Sequence, residues 1–301
     1  MAGERAAAYK ERVAHGTAVF PLGFYEAFPD VPWDGVSHHW HEEIELLYFT
    51  AGQGELEINM ERYPFAAGGK NGGALFFVNS GELHAIAGGG RYRESAVLFH
   101  PRMLSFDSGD AAQTGLLAPL RAGELALPHR LEPTSPVFAA VEGAYLSLAA
   151  VCRRGASAMA DQLLIKAELL KILALLAEAG LLTRAAPEDD NKVLAVKTAL
   201  AYLRAHYPEK LHVRDLAAQV NLNEQYFCRF FRRALGQSPM AYLNEYRLRK
   251  AAELLRGSEL SVTEISLRCG FYNLGNFLRA FRQYTGQTPL KYRQSAGVKK
   301  S

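Results

Sequence analysis

Wound at helical period, the chain around residue 230 separates into two faces. Phe227, Phe230, Phe231, Ala234 and Leu235 fall at i, i+3, i+4, i+7 and i+8, the spacing of a buried stripe, while Gln225, Cys228, Arg229 and Arg232 take the opposite side. The pattern returns fifty positions later. There Phe277, Ala280, Phe281 and Tyr284 make the stripe, and Gly275, Leu278, Arg279 and Arg282 face out. Identities recur with the periodicity: Phe227, Arg229, Phe231, Arg232, Gly236, Pro239 and Tyr242 reappear as Phe277, Arg279, Phe281, Arg282, Gly286, Pro289 and Tyr292. One structural unit is used twice.

Ahead of each of these helices the sequence predicts a shorter one, Val213–Val220 and Val262–Cys269, followed by the turns Asn221-Leu222 and Gly270-Phe271. Helix, turn, helix, repeated, is the expected motif. Ser261-Val-Thr-Glu264 is spaced as a capping box, Asn223 and Asn273 can cap the second helices, and Gly236 and Gly286 stand where a left-handed residue closes them. Pro239 and Pro289 can open the next helices. No breaker intervenes from Pro239 to about Arg256, so a strut of roughly 25 Å separates the two units. The second helix of such a motif enters a DNA major groove, and successive grooves lie about 34 Å apart, which suits two units on a strut.

Upstream the period falls to two. Between about Phe20 and His100, Ile44–Thr50, Gly54–Asn59 and Ala74–Asn79 read as strands and hairpins. Val137–Ala150 and Ala160–Leu182 then read as apolar helices. Leu163, Leu164, Ala167, Leu170, Lys171, Ala174 and Leu175 recur near heptad spacing, a face for packing on the same domain or on a second subunit. Trp33, Trp40, Tyr48 and Phe49 read as core residues, though one aromatic lining a pocket would suit a carbohydrate. Thr183–Asn191 is polar and reads as a linker. The fold class is therefore α+β: a sheet domain over 1–135, a helical connector over 136–183, a linker over 184–191 and an all-α domain over 192–301.

Charge is divided the same way. Residues 191–301 hold 19 Lys+Arg and 7 Asp+Glu, net +12, whereas residues 1–190 hold 15 and 24, net −9. Solvation of amphipathic helices accounts for individual arginines but not for this segregation, which is the footprint of a nucleic-acid-binding domain. Cys152, Cys228 and Cys269 are scattered without metal-ligand or redox spacing, so reduced thiols are expected; Cys228 on the outer helix face is either an oxidant sensor or inert. No apolar run is long enough to span a membrane and no signal segment is evident, so no membrane partner and a cytoplasmic location are expected.

Residues from about Leu211 to Arg293 resemble the DNA-binding domain of AraC/XylS-type transcriptional regulators, a seven-helix module. The resemblance is carried by Asp215-Leu-Ala217, Tyr226-Phe-Cys-Arg-Phe-Phe231, Gly236-Gln-Ser-Pro239, Gly270-Phe271, Phe277-Leu-Arg-Ala-Phe281 and Gly286-Gln-Thr-Pro289. It implies base-reaching positions at Gln225, Cys228 and Arg229 in the first helix and Leu274, Gly275, Asn276 and Arg279 in the second, with Arg232 and Arg282 on phosphate. Upstream, His39-Trp-His41 with Glu45, then Gly73, Asn79-Ser-Gly81 and His84 resemble the two cupin motifs, with Asn79 in place of a proline and Gly88 where asparagine is common. The fold implied is a cupin-like β-barrel ahead of the reader.

On an uninterrupted strand His39, His41 and Glu45 share parity, while His38 has the opposite one. With His84 they form the candidate effector site, and imidazole and carboxylate are also adequate ligands for a divalent transition metal. A metal-free polar pocket and purely structural histidines are the other readings of the same residues. The function expected is a sequence-specific regulator of transcription, an activator, binding double-stranded DNA as a homodimer. A small polar effector such as a sugar would control it, with RNA polymerase as the partner implied by resemblance. No catalytic residues are assigned; the alternative is a metal-dependent cupin enzyme fused to a DNA-binding domain.

Overall fold

The structure, a computed structural model, describes residues 15–17, 19–27, 35–87, 91–184 and 190–295. Trp33, Gly88 and most of the polar linker, residues 185–189, lie outside the described residues. The chain divides into two compact units between Val193 and Leu194.

The first unit is a sheet domain: β1 (Leu22–Ala27), β2 (Gly35–His39), β3 (Ile44–Ile58), β4 (Glu61–Ala67), β5 (Ala74–Val78), β6 (His84–Ala87) and β7 (Tyr92–Phe99), followed by the short strands β8 (Leu125–Ala126) and β9 (Arg130–Leu131). All pairings in the sheet are antiparallel. Ile44–Thr50 and Gly54–Asn59, two strands by their sequence pattern, are parts of one long β3, because a register shift between Phe49 and Ala51 bends the strand without ending it. The first part of β3 pairs with β5 and β7, and the second with β4 and β6. Leu47 and Phe49 from one part therefore share an interior cluster with Leu56 and Ile58 from the other, together with Phe65, Phe76, Ile86 and Tyr92. The sheet folds over on itself around this cluster, as the cupin resemblance implies.

Alternate residues of β3 and β7 face the other way, and two helices cover them: α2 (Phe138–Arg153) and α3 (Met159–Glu178), which follow the single-turn α1 (Ala118–Ala122). Ile44, Leu46, Tyr48, Val97 and Phe99 pack there against Val141, Tyr145, Leu148, Ile165, Leu169, Ile172 and Leu176. Tyr145 donates its hydroxyl hydrogen to the Ser95 carbonyl at 2.8 Å, and Tyr48 donates to Glu142 at 2.6 Å. The near-heptad set is largely not the buried one: Leu163, Leu164, Ala167, Lys171 and Ala174 are exposed, because Ile165, Leu169, Ile172, Leu173 and Leu176 already occupy the face against the sheet. Thr183–Arg184 is not linker but strand β10, paired with β8, so the end of the connector is tied back to the sheet domain.

The second unit is helical: α4 (Asp190–His206), α5 (Val213–Gln219), α6 (Glu224–Leu235), α7 (Pro239–Gly257), α8 (Val262–Arg268), α9 (Leu274–Thr285) and α10 (Pro289–Ser295). Asp190 and Asn191 begin α4 rather than ending the linker. The repeat is visible in three dimensions. Phe227 and Phe231 have ring centroids 5.5 Å apart, and so do Phe277 and Phe281. Phe231 meets Tyr242 edge-on, as Phe281 meets Tyr292. Asn223 and Asn273 cap α6 and α9 through their side chains, the capping box Ser261/Glu264 is formed, and Gly236 and Gly286 close the helices in the left-handed region. Buried Arg247 and Arg293 hold the units' loops. Arg247 donates to the carbonyls of Tyr207 and Glu209 at 2.7 and 2.6 Å, and Arg293 to those of Leu255 and Leu260 at 3.3 and 2.5 Å. No helix among the described residues is long and apolar enough to cross a membrane.

Candidate functional site

In the reader, burying Phe227 and Phe231 fixes the rotation of α6, so Gln225, Arg229 and Arg232 emerge on the exposed face, with Cys228 half-buried. Burying Phe277 and Phe281 does the same for α9, exposing Leu274, Gly275, Asn276, Arg279 and Arg282. Asn276 also donates its backbone N–H to the capping oxygen of Asn273 at 2.9 Å. The three thiols form no disulfide. Burial pushes those of Cys152 and Cys269 up to about 11, which keeps them protonated and unreactive near neutral pH.

In the sheet domain the four candidate residues converge, though not as strand parity proposes. β2 ends at His39, residues 41–43 turn, and Glu45 starts again on β3, so His39, His41 and Glu45 do not lie on one uninterrupted strand. The pairing of His39 with His84 across β2 and β6 brings the second motif to the first. One nitrogen each of His39, His41 and His84 lies within 4.8 Å of the other two. Glu45 Oε2 is 3.1 Å from His84 Nε2 and 3.5 Å from His41 Nε2. His38 points elsewhere and contacts Glu57 at 3.0 Å.

The other ring nitrogens explain the orientation. Nδ1 of His39, His41 and His84 lies 3.0, 3.0 and 2.9 Å from the carbonyls of Ser37, Glu43 and Glu82, two residues away in each case. A carbonyl can only accept, so each Nδ1 carries the hydrogen, and in the neutral ring Nε2 presents a lone pair inward. His41 Nε2, His84 Nε2 and Glu45 Oε2 are buried and make no hydrogen bond of acceptable geometry. Burial opposes ionisation of Glu45, but His41 and His84 outweigh it and hold its carboxyl well below the usual range. Burial likewise lowers His41, and Glu45 and Glu43 outweigh it, so its imidazole binds a proton more readily than an ordinary histidine. The site favours a carboxylate and draws positive charge toward it.

Two more groups join the pocket without belonging to either motif. The ring of His15, held by Tyr25 at 2.9 Å, lies 5.6 Å from that of His41. Glu94 on β7 shares the inward face with Tyr92, Ala96 and Leu98 and is 8 % exposed, with Oε2 making no hydrogen bond. Burial, aided by the negative charge of Glu45, pushes its carboxyl up to about 8. The signal for Glu94 was present in the sequence: a charged residue at an inward position of an otherwise apolar alternation, Tyr92, Glu94, Ala96, Leu98. His15 had none, since it reaches the pocket from outside any periodic element.

A sheet domain that buries a cluster of histidines and carboxylates, followed by a basic domain with two helix-turn-helix units, defines a ligand-responsive DNA-binding regulator of transcription. The profile of the AraC-like ligand-binding domain matches residues 21–173, just over half of the chain, and that of a helix-turn-helix domain matches residues 216–295. YdeC of Bacillus subtilis (strain 168), an uncharacterized HTH-type transcriptional regulator, is 25% identical over 293 residues, covering 95% of this chain and 96% of that one. The HTH-type transcriptional activator RhaS of Klebsiella pneumoniae (strain 342) is 27% identical over 286 residues, covering 94% and 97%. Among solved structures, the DNA-binding domain of AdpA in complex with a target DNA is 32% identical and covers 34% of this chain and 91% of that one, with a TM-score of 0.33. The chain belongs to the AraC family of transcriptional regulators.

Proposed function

We propose that this regulator is a cytoplasmic transcription activator, acting with RNA polymerase, whose pocket senses a small polar effector of the carbohydrate class with the help of a divalent transition metal held by His39, His41, Glu45 and His84. The convergence of inward lone pairs carries this reading. Two acceptors about 3 Å apart, such as Glu45 Oε2 and His84 Nε2, repel unless a proton or a cation stands between them. Nitrogen and oxygen ligands bound at about 2.0–2.2 Å lie close to this far apart around one ion. The Nδ1–carbonyl contacts are the outer partners that orient metal-ligating histidines. When bound, the ion supplies a Lewis-acidic centre that a hydroxyl or carboxylate oxygen can reach. His15, Glu94 and Tyr92 offer the surrounding hydrogen-bonding groups. The pocket senses rather than turns over its ligand, in keeping with the named relatives, which are transcription regulators.

Base contacts are assigned to Gln225, Cys228, Arg229, Leu274, Gly275, Asn276 and Arg279, and phosphate contacts to Arg232 and Arg282. Exposed Met159, Leu163 and Leu164 on α3 support a homodimer, since solvent is a poor neighbour for that much adjacent apolar surface. Effector binding would shift the population of reader-competent dimers. The test is the purified full-length chain, analysed for metal, with operator binding and melting temperature measured for His41→Ala and His84→Ala. Bound metal in the wild type, lost in both variants together with the effector response while basal operator binding persists, is the expected result. A chain that neither retains nor takes up metal removes the ion from the reading, and normal induction in both variants removes the pocket as the sensor.

A further inference from the structure

The two reading helices are copies, but their outward faces differ in chemistry. Aligned by the repeat, Glu224, Gln225 and Cys228 of α6 correspond to Leu274, Gly275 and Leu278 of α9. A polar shoulder in the first helix is an apolar one in the second, with the side chain beside it removed. Leu274 and Leu278 stand one turn apart and keep 38 % and 40 % of their surface exposed. A single exposed leucine needs no explanation, whereas two adjacent ones on the face a helix-turn-helix turns to its ligand do. Gly275 adds to the case. A Cβ there would crowd the capping oxygen Asn273 Oδ1 at 3.3 Å and meet nothing else, so apart from the helix's own cap no element of the fold bears on it. Without that side chain an outside partner can approach the backbone closely. Exposed Arg279 and Arg282 lie beside the leucines, placing positive charge next to apolar surface, as a face set against base edges and phosphates requires.

We infer that α9 reads thymine 5-methyl groups through Leu274 and Leu278, whereas α6 reads its segment through hydrogen bonds from Gln225 and Arg229. The inference rests on the base-reading assignment proposed above and deepens it. In the major groove thymine is the base that presents a C5 methyl group, and apolar side chains discriminate by covering it. The two operator segments are thus specified by different chemistry, and the one under α9 carries thymine.

The experiment uses the full-length chain and duplexes it selects from a random pool. Thymines in the α9 segment are replaced one at a time by deoxyuridine, which keeps every pairing and hydrogen-bonding group and removes the methyl. The result expected is a roughly three- to fivefold loss of affinity at one or two positions, the size of one buried methyl group. That loss disappears in Leu274→Ala and Leu278→Ala, each shown to be folded by a cooperative melting transition. Indifference to deoxyuridine in a segment where other base changes weaken binding overturns the inference and leaves base reading intact. If no base change there matters and Arg279→Ala is neutral, the base-reading assignment itself fails. Leucine variants with unaltered DNA affinity but lost transcription activation also overturn it, giving this face to a protein partner.

Discussion

Replacing Glu94 with glutamine isolates a buried acid that the fold holds neutral. Its carboxyl titrates at about 8 in the folded chain, against an ordinary value of 4.5, because burial and the charge of Glu45 both disfavour its ionisation. Between these values the folded state keeps a proton that the unfolded state has released. Stability is therefore complete below the unfolded value and falls as pH rises, by up to about 1.4 kcal/mol per pH unit, until the folded group also ionises. Between pH 5 and 8 the loss amounts to roughly 3–5 kcal/mol as an upper bound. Glu94→Gln keeps the shape and the neutral form, so it matches the wild type near pH 4.5 and surpasses it progressively above. At pH 8 the difference in melting temperature is on the order of 10 °C for a unit of this size. Glu45 and His41 also shift, but both proteins share them and they cancel in the comparison. The assay is thermal unfolding of the full-length pair across pH 4.5–8.5 in EDTA, so that metal occupancy is equal. Parallel pH profiles would refute the reasoning by leaving Glu94 with an unshifted carboxyl, and a variant less stable than the wild type at pH 8 would mark it as an ionised group with a cationic partner.

Arg247→Met should destabilise the reader by about 2–4 kcal/mol, since the carbonyls of Tyr207 and Glu209 lose their donors, and denaturant unfolding with an unchanged midpoint would contradict this. Arg229→Ala should relax base preference at one position and cost about 1–3 kcal/mol of operator affinity without changing stability, which selection from randomised duplexes reads directly. Affinity of the intact protein should fall steeply with salt because the net +12 reader displaces phosphate counterions, and a flat salt response would deny the phosphate contacts assigned to Arg232 and Arg282.

The helical connector has apolar residues on two faces. One face of α3 is spent on the sheet through Ile165, Leu169, Ile172 and Leu176, and the other is left apolar at Met159, Leu163 and Leu164. Asn79, which stands in the pocket loop where the cupin pattern has a proline, binds the Leu127 backbone on both sides, accepting from its N–H at 2.8 Å and donating to its carbonyl at 3.1 Å. Leu127 directly follows β8, whose partner β10 is the last described element before the linker residues. The pocket loop and the domain's exit are thus joined through one side chain.

The reader was legible in the sequence almost to the residue, because every signal there is local. Helical periodicity selects the buried Phe227/Phe231 and Phe277/Phe281 pairs, and once these are buried the outward face of each helix follows by rotation alone. Caps, left-handed glycines and helix-opening prolines act within a few residues, so Asn223, Ser261 and Gly236 mark ends that tertiary packing has no reason to move. The pocket was legible only as a list of ligand types. His39, His41 and Glu45 do lie near one another, but strand parity is not what brings them together, since the chain turns between His41 and Glu43 and the set is closed by pairing across β2, β3 and β6. His15 and the Asn79–Leu127 contact join positions far apart in the chain, and no periodicity within a segment encodes which segment will lie opposite it. Glu94 carries the same lesson in its chemistry. A glutamate in a sequence is a charge by default, and only the buried surroundings and the neighbouring carboxylate of Glu45 decide that this one keeps its proton.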